Sequence, residues 1–504
     1  MKHTMLQRSE KSSKVPLNHQ PTIAILGAGA AGLCMGMRLK QLSIESFTIY
    51  EKSDRVGGTW RENTYPGAGC DVPSHLYSFS FEPKFDWSRV YSRQPEIQRY
   101  LEHCAQKYDL HRHVRFGFEV ANASFDEAAG IWRLRTTSGE EFTAQVLITG
   151  TGQLNRPHTP EIPGLEEFGG AQFHSARWNH QHDLAGRNVA VIGNAASAIQ
   201  FIPPVAEVAK KVHVFQRHAN WIIPRNDRAY RTWERFAFQY APGYARLMRA
   251  LIYWKCESRF FVLFRKSWVA WYLKWCATRY LESHIQDPAL RKTLTPDFTP
   301  GCKRTLISDD YYQALARPNV EVVTNGIARI TRDGIITNDG TLHAADTLVF
   351  ATGFEATRFL APIEITGREG RQLADVWKHG AEAYLGVAVS GFPNLFLLYG
   401  PNTNLGHNSI IFMIECQVNY ILQCLSRLQS QRLATLEVKP EVQDSYNREL
   451  QRGLAKTAWY AGCSSWYKTK AGKVTNNWSG FASQYWWRMR RPDPNAFHAA
   501  PEVT

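Results

Sequence analysis

The sequence lacks any uncharged apolar run of about 18 residues, the length that crosses a bilayer, so no membrane-spanning helix is expected. Met1 to Gln20 is polar and basic and lacks the apolar stretch of an export signal, which points to the cytoplasm. There is no Cys-x-x-Cys pair, and the nine cysteines are odd in number. Reduced thiols are therefore expected, with neither a disulfide framework nor a metal cluster. The chain is short of acids, with 45 Asp and Glu against 59 Lys and Arg, a net charge of +14. That excess alone would suit a nucleic-acid binder, but no helix-turn-helix, zinc or RNP motif accompanies it, so no nucleic-acid partner is expected.

What the chain does have is two dinucleotide-binding fingerprints. At 504 residues and 44% hydrophobic it is a soluble-type chain of two or three domains. The first fingerprint is Gly27-Ala28-Gly29-Ala30-Ala31-Gly32. A strand over 22–26 runs into it, a helix over 30–42 follows, and a second strand over 47–50 ends at Glu51. Each part has a mechanical reason. The first glycine turns the chain, the second admits the pyrophosphate, the third lets helix pack on strand, and the acid accepts from ribose hydroxyls. The second fingerprint, Gly193-Asn194-Ala195-Ala196-Ser197-Ala198, follows a strand over 188–192. Its second strand, over 212–215, ends in Gln216-Arg217 where the first unit has Glu51. An acid repels a 2′-phosphate and an arginine pairs with it, so the first site reads as FAD and the second as NADPH. Flavin and nicotinamide held in one chain pass hydride between them.

Between the two lies an antiparallel meander, with strands near 116–121, 131–136 and 145–149 and turns at Ala129-Gly130 and Ser138-Gly139. Pro157, Pro160, Pro163 and Gly164 then mark a domain boundary. The expected class is α/β with two Rossmann-like domains, FAD and NADPH, the second interrupted by a helical insertion. Residues 1–20 form a flexible tail, 21–155 the first part of the FAD domain, and 156–350 the NADP domain with its insertion at about 225–300. Residues 351–490 return to the FAD domain, with a helix starting near Ser409, and 491–504 form a tail. Arg225 to Ile285 holds 12 Lys and Arg against 4 Asp and Glu, a net +8, with 16 aromatic residues. Phe261, Phe264, Trp268, Trp271 and Trp275 recur at helical spacing. The plain reading makes them the core of a helical cap. The sharper one makes 225–285 a basic aromatic surface resting peripherally on anionic lipid.

Phe168, Gly170, His174 and Trp178 fit the pattern FxGxxxHxxxW, with Asn179 in the last place. Gly57, Gly58, Trp60, Tyr65, Pro66, Gly67 and Asp71 fit a second long motif. On these motifs the chain resembles the class B flavoprotein monooxygenases, and within them the Baeyer–Villiger monooxygenases, over about residues 20 to 495. The resemblance implies an enzyme that consumes NADPH and inserts one oxygen atom of O2 next to a ketone carbonyl, through a flavin peroxide, to give an ester or lactone. It implies that Arg304, in Gly301-Cys302-Lys303-Arg304, is catalytic with Asp71 as its acid partner. Lys303, Trp478 and Arg217 would hold NADP, with His218 adding charge. Thr59, Trp60, Tyr77, Val120, Ser197 and Gln200 join the nucleotide contacts alongside Gly27, Gly29, Ala31, Gly32, Glu51, Gly193, Asn194 and Ala195. His174, in an interdomain segment, would anchor domain motion and not transfer protons. Ala195 and Ala198 replace glycines of the fingerprint, which puts NADPH affinity in question. Cys70 reads as a small packing residue. The implied partners are O2 and a small hydrophobic carbonyl compound. The alternatives are an N- or S-oxygenase or hydroxylase of a hydrophobic substrate such as a thioether or amine, and a membrane-surface protein that has lost turnover. The paired-cysteine motif of the flavin disulfide reductases, which share the two-nucleotide layout, is absent.

Overall fold

The computed structural model describes residues 20–264, 267–460, 462–463, 465–469 and 471–501, so the expected tail over 1–20 lies outside it but for Gln20. Two five-stranded parallel sheets organise the chain. In the first, the order is Leu395–Leu397, Val146–Thr149, Ile23–Leu26, Phe47–Glu51, Val114–Phe116. In the second it is Val320–Val323, Lys211–Phe215, Asn188–Ile192, Thr347–Phe350, Ala171–His174. The central strands are mainly apolar and, but for Asn188, buried, as helices on both faces require. Each sheet feeds a glycine turn and a helix, Ala30–Gln41 in the first and Ala198–Val208 in the second. Gly27 (φ +97°) and Gly193 (φ +109°) make those turns in a conformation closed to L side chains.

The expected meander is shifted by one strand. Its members are Val120–Asp126, Ile131–Thr136 and Glu141–Ala144, while Val146–Thr149 leaves it and pairs in parallel with Ile23–Leu26. Gln145 is the crossing point. Val146–Thr149 is buried at every position, the mark of a strand covered on both faces, and not the alternation of a meander edge. The expected C-terminal tail over 491–504 is also corrected. Phe497–Pro501 is a strand paired antiparallel with Leu433–Val438, and Phe497 is buried there.

The chain crosses between the two units twice, side by side. Pro157 bridges Phe354, the His158 N–H donates to the Gly353 carbonyl at 2.9 Å, and Arg156 pairs with Glu355 at 2.8 Å. The insertion leaves and re-enters through a two-stranded ladder, Ile222–Ile223 with Leu306–Ile307. Its helices are Thr232–Tyr240, Tyr244–Ser258, Trp268–His284 and Pro288–Thr293. It docks on the first unit through buried Phe260, which meets His407 and Phe481 at ring distances of 5.0 and 4.6 Å.

The aromatic cap core expected from the 225–300 spacing is not there. Trp268 is 81% exposed and Trp271 68%, with Phe261, Phe264 and Trp275 also exposed. Helical spacing puts residues on one stripe but does not say which way the stripe faces.

Candidate active site

The first nucleotide cradle is built from close backbone contacts. A Cβ on Gly32 would run into the Gly27 carbonyl oxygen, and one on Gly29 would lie 3.5 Å from Gly58 Cα. Gly58 therefore packs against the fingerprint and brings Thr59, exposed, and Trp60, buried, beside it. Ala31 is buried under the turn. Glu51 is 7% exposed, and its carboxylate accepts from the Ala28 N–H at 2.7 Å and the Ser53 N–H at 3.0 Å. Each carboxylate oxygen keeps a further lone pair for a ribose hydroxyl. Val120 is buried at the start of its strand. Trp60 donates its Nε1–H to the Tyr77 hydroxyl at 3.0 Å, the two rings meeting edge-on.

The loop from Gly57 to Asp71 reaches across to the second unit. Gln200, on the helix Ala198–Val208, donates to the Gly69 carbonyl at 3.0 Å and accepts from the Gly69 N–H at 3.2 Å and the Tyr65 hydroxyl at 3.0 Å. At the loop's end Arg304 donates through Nε (2.9 Å) and Nη2 (2.5 Å) to one oxygen of Asp71. Both side chains are only about a third exposed or less, 27% and 32%. Asp71 holds the Arg304 guanidinium further toward its charged form than usual, against the desolvation that opposes it. Desolvation pushes the Asp71 carboxyl up, but Arg304 and then Arg225 outweigh it, and the group stays below its ordinary value.

Arg225 is a neighbour of this pair that motif reasoning missed. It is 8% exposed, donates to the Cys70 carbonyl at 2.6 Å and lies over the Tyr91 ring. The only sequence signal for it was its place at the mouth of the insertion, because its partners come from the other nucleotide unit. Cys70 is buried, and burial pushes its thiol up, as a packing residue requires.

Cys302, two residues before Arg304, is disulfide-bonded to Cys463, 161 positions away. This overturns the expectation of reduced thiols throughout. The pair escapes sequence reasoning because only the fold brings the two loops together. Of the other cysteines in the described residues, Cys34, Cys70, Cys104, Cys256, Cys416 and Cys424 are free and buried, and Cys276 is half-buried.

On the second unit Arg217 and His218 are exposed beside the fingerprint. His218 Nδ1 lies 3.8 Å from Asp297, and the Lys303 ammonium lies 4.7 Å from the Phe298 ring. Desolvation lowers the Lys303 amine, Asp297 raises it and nearby Arg217 lowers it, the net shift being down. Two cations close enough to repel are ready for an anion. Asn194 donates to Gln216 Oε1 at 2.7 Å and the His218 carbonyl at 2.8 Å, which fixes the loop. Ala195 is exposed on it, and Ser197 is half-buried just before the helix.

Trp478 does not join this group. It is 3% exposed, its indole N–H is taken by the Phe481 carbonyl at 3.0 Å, and its ring packs on Tyr485. Its segment is instead part of a buried amide network. Asn402 donates to the carbonyls of Val474 (2.9 Å) and Asn477 (3.0 Å), and Asn404 to Asn477 Oδ1 (2.7 Å). Asn476 reaches Gln153 Oε1 and the Ala356 carbonyl, both at 3.1 Å. The helix expected from Ser409 begins at Ile410.

The FxGxxxHxxxW segment lies along the interdomain crossing. Phe168 is buried, and a Cβ on Gly170 would run into the Asp346 carbonyl. His174 is 6% exposed, accepts from the Ala176 N–H through Nδ1 at 3.1 Å and meets the Phe354 ring. Burial holds its imidazole down at about 4, so it is neutral at ordinary pH. Trp178 packs on Phe173 and Phe201, and Arg177 and His180 bond Glu62 and Thr64 of the other unit. Among the described residues His213, Glu321 and His343 bring metal-ligating atoms together, and Lys211 pairs with that carboxylate at 3.0 Å.

Residues 24–237 match the pyridine nucleotide-disulphide oxidoreductase family. A Baeyer-Villiger monooxygenase of Pseudomonas aeruginosa is 43% identical over 478 residues, 94% of this chain and 91% of that protein. One from Streptomyces coelicolor is 41% identical, over 94% and 91%. Among solved structures, an oxidized steroid monooxygenase bound to NADP superposes with TM-score 0.85 at 30% identity, covering 96% of this chain and all of that one. Cyclohexanone monooxygenase in its closed form gives 0.86 at 28%, with the same coverage. With its two nucleotide folds, its paired motifs and relatives matched along nearly their whole length, the chain belongs to the Baeyer–Villiger monooxygenases.

Proposed function

We propose that this enzyme takes a hydrophobic ketone, O2, NADPH and a proton to an ester or lactone, NADP+ and water. FAD is held by 21–155 and 351–490, NADPH by 156–350. The cradle fits FAD, since backbone lines it where a Cβ on Gly27, Gly32 or Gly58 would intrude, and Glu51 offers lone pairs at its end. The second unit fits NADPH through Arg217 and Lys303, with His218 beside them. Bound FAD supplies the two electrons that split O2 between product and water.

The observation that carries this reading is the Arg304–Asp71 pair at the junction of the two units. A guanidinium keeps its charge, and this one is held at two nitrogens by one carboxylate oxygen. Its orientation is set before substrate arrives, so it stabilises negative charge developing on oxygen without reorganising. Asp71 orients Arg304 and is itself steadied by Arg225. His174 holds the interdomain crossing and moves no proton. Residues 225–285 add a peripheral membrane contact to the same enzyme.

The test is anaerobic reduction of the purified yellow protein by NADPH, followed by oxygen and a panel of hydrophobic ketones and thioethers. Ester formation matched to NADPH consumption is expected. Sulfoxide without ester would reassign the enzyme to heteroatom oxygenation, and a protein without bound flavin would remove the reading of the first fingerprint.

A further inference from the structure

The helices of the insertion are amphipathic the wrong way round. On Tyr244–Ser258 the solvent side carries Leu247, Leu251 and Trp254. On Trp268–His284 it carries Trp268, Trp271 and Trp275. Trp233 and Phe236 extend the same character on Thr232–Tyr240. The sides turned inward are mostly small or polar, such as Ala245, Cys256 and Glu257 on one helix and Ala270 and Ala277 on another, with Leu281 and Phe238 the large apolar residues among them. Exposed apolar surface on this scale marks an interaction site.

The charges are sorted in the same sense. Of the four acids between 225 and 285, Asp227 pairs with Arg89 (3.0 Å) and Glu234 with Arg228 (2.7 Å). Glu257 is buried, accepting from Asn408 and Ser483, and Glu282 lies 3.7 Å from Arg279. Arg235, Arg246 and Lys255 are exposed, and none forms an ion pair among the described residues. The surface is aromatic and cationic with its acids withdrawn.

We infer that the outward stripes of the insertion rest on an anionic lipid bilayer, with tryptophan and phenylalanine rings among the headgroups and the free cations on lipid phosphates. Tryptophan is the side chain that suits the boundary between headgroup and acyl chain. A second copy of the chain is a poor occupant, because two faces carrying exposed Arg235, Arg246 and Lys255 would repel each other. No described helix is long and apolar enough to cross a membrane, so the contact is peripheral.

The experiment is sedimentation of the flavin-loaded enzyme with vesicles of phosphatidylcholine, alone or with roughly 30% phosphatidylglycerol. Binding to the anionic vesicles, falling as salt rises, is expected. Trp268→Ser with Trp271→Ser lowers the partition coefficient about tenfold or more. Arg246→Glu with Lys255→Glu abolishes the preference for anionic vesicles. Both double variants change exposed side chains outside the nucleotide cradles, so flavin content and turnover of a water-soluble ketone stay at the parent level and report that they are folded. Equal sedimentation with neutral and anionic vesicles would overturn the proposal, as would unchanged binding by the tryptophan variant. So would a stable dimer in lipid-free buffer that the tryptophan variant turns into a monomer.

Discussion

Replacing Arg217 by alanine should cost the enzyme its preference for NADPH over NADH. Arg217 stands where the first nucleotide unit has Glu51, is exposed, and lies close enough to Lys303 to lower its amine further after desolvation. A charge-assisted hydrogen bond to phosphate contributes about 1.5–3 kcal/mol. The lower part of that range applies, because Lys303 remains and, relieved of a like charge, holds its proton more firmly. A loss of about 1.5–2 kcal/mol corresponds to a fall of roughly 10–30-fold in kcat/KM for NADPH. NADH has no 2′-phosphate, so its kcat/KM should stay within about twofold of the parent. The assay is anaerobic stopped-flow reduction of the flavin by each nucleotide, at two ionic strengths. The parent's preference should shrink as salt rises, since the site is open to solvent. A NADPH/NADH ratio unchanged in Arg217→Ala would refute the reasoning and move the phosphate elsewhere.

Arg304→Ala should leave flavin reduction by NADPH intact and lower ester yield by about 10²-fold or more, read as hydrogen peroxide released in place of product; normal ester yield would take Arg304 out of the chemistry. Gly32→Ala forces a methyl into the Gly27 carbonyl, so the purified protein should be colourless with its far-ultraviolet circular dichroism near the parent's. Cys302→Ser removes a link closing 161 residues, which stabilises the chain by at most about 5 kcal/mol, and thermal denaturation with and without reductant should differ in the parent but not in the variant. His174, lowered to about 4 by burial, is neutral when folded and protonates when unfolded, so it supports stability above pH 6.5 and loses that support as pH falls from 6.5 toward 4. Between pH 7 and 5 this amounts to about 2 kcal/mol. His174→Asn, which keeps an acceptor for Ala176, should flatten that part of the urea-midpoint profile, and an unchanged slope would assign the acid sensitivity to other groups.

Legibility tracked how local the cause was. The first nucleotide unit was readable almost to the residue, because turn, helix and acid lie within 30 residues and each is dictated by backbone sterics. Glu51 shows it: the strand ends there as the spacing implies, and the structure adds that its carboxylate accepts from the Ala28 N–H. The Arg304–Asp71 pair spans 233 positions, and only the resemblance to a family brought the two together in advance. Cys302–Cys463 and Arg225 had no such help, since the motif around Cys302 says nothing of Cys463 and the partners of Arg225 lie far away in sequence. Trp478 was expected against the nucleotide, but a network of buried asparagines holds its segment and turns the ring into the core. Val146–Thr149 pairs in the parallel sheet and not in the expected meander, and here the sign was local, an apolar run without the alternation of an edge strand.

The insertion marks the deeper limit. Spacing of three and four predicts a stripe on a helix with good reason, but burial is a property of what the stripe meets. In an isolated chain the usual inference is that apolar stripes meet each other. Here the inner positions are taken by small residues and by Glu257, whose carboxylate, favoured by His407, Ser483 and Asn408 against the desolvation opposing it, sits low at about 2. A buried, hydrogen-bonded carboxylate commits that helix face to the FAD-side unit, because exposing the other face instead would leave Asn408 and Ser483 unpaired. Leu247, Leu251 and Trp254 of that helix face outward because the polar anchor, not the apolar stripe, set its orientation. Those apolar stripes are left facing outward, and that exposure is the ground on which the lipid contact is proposed.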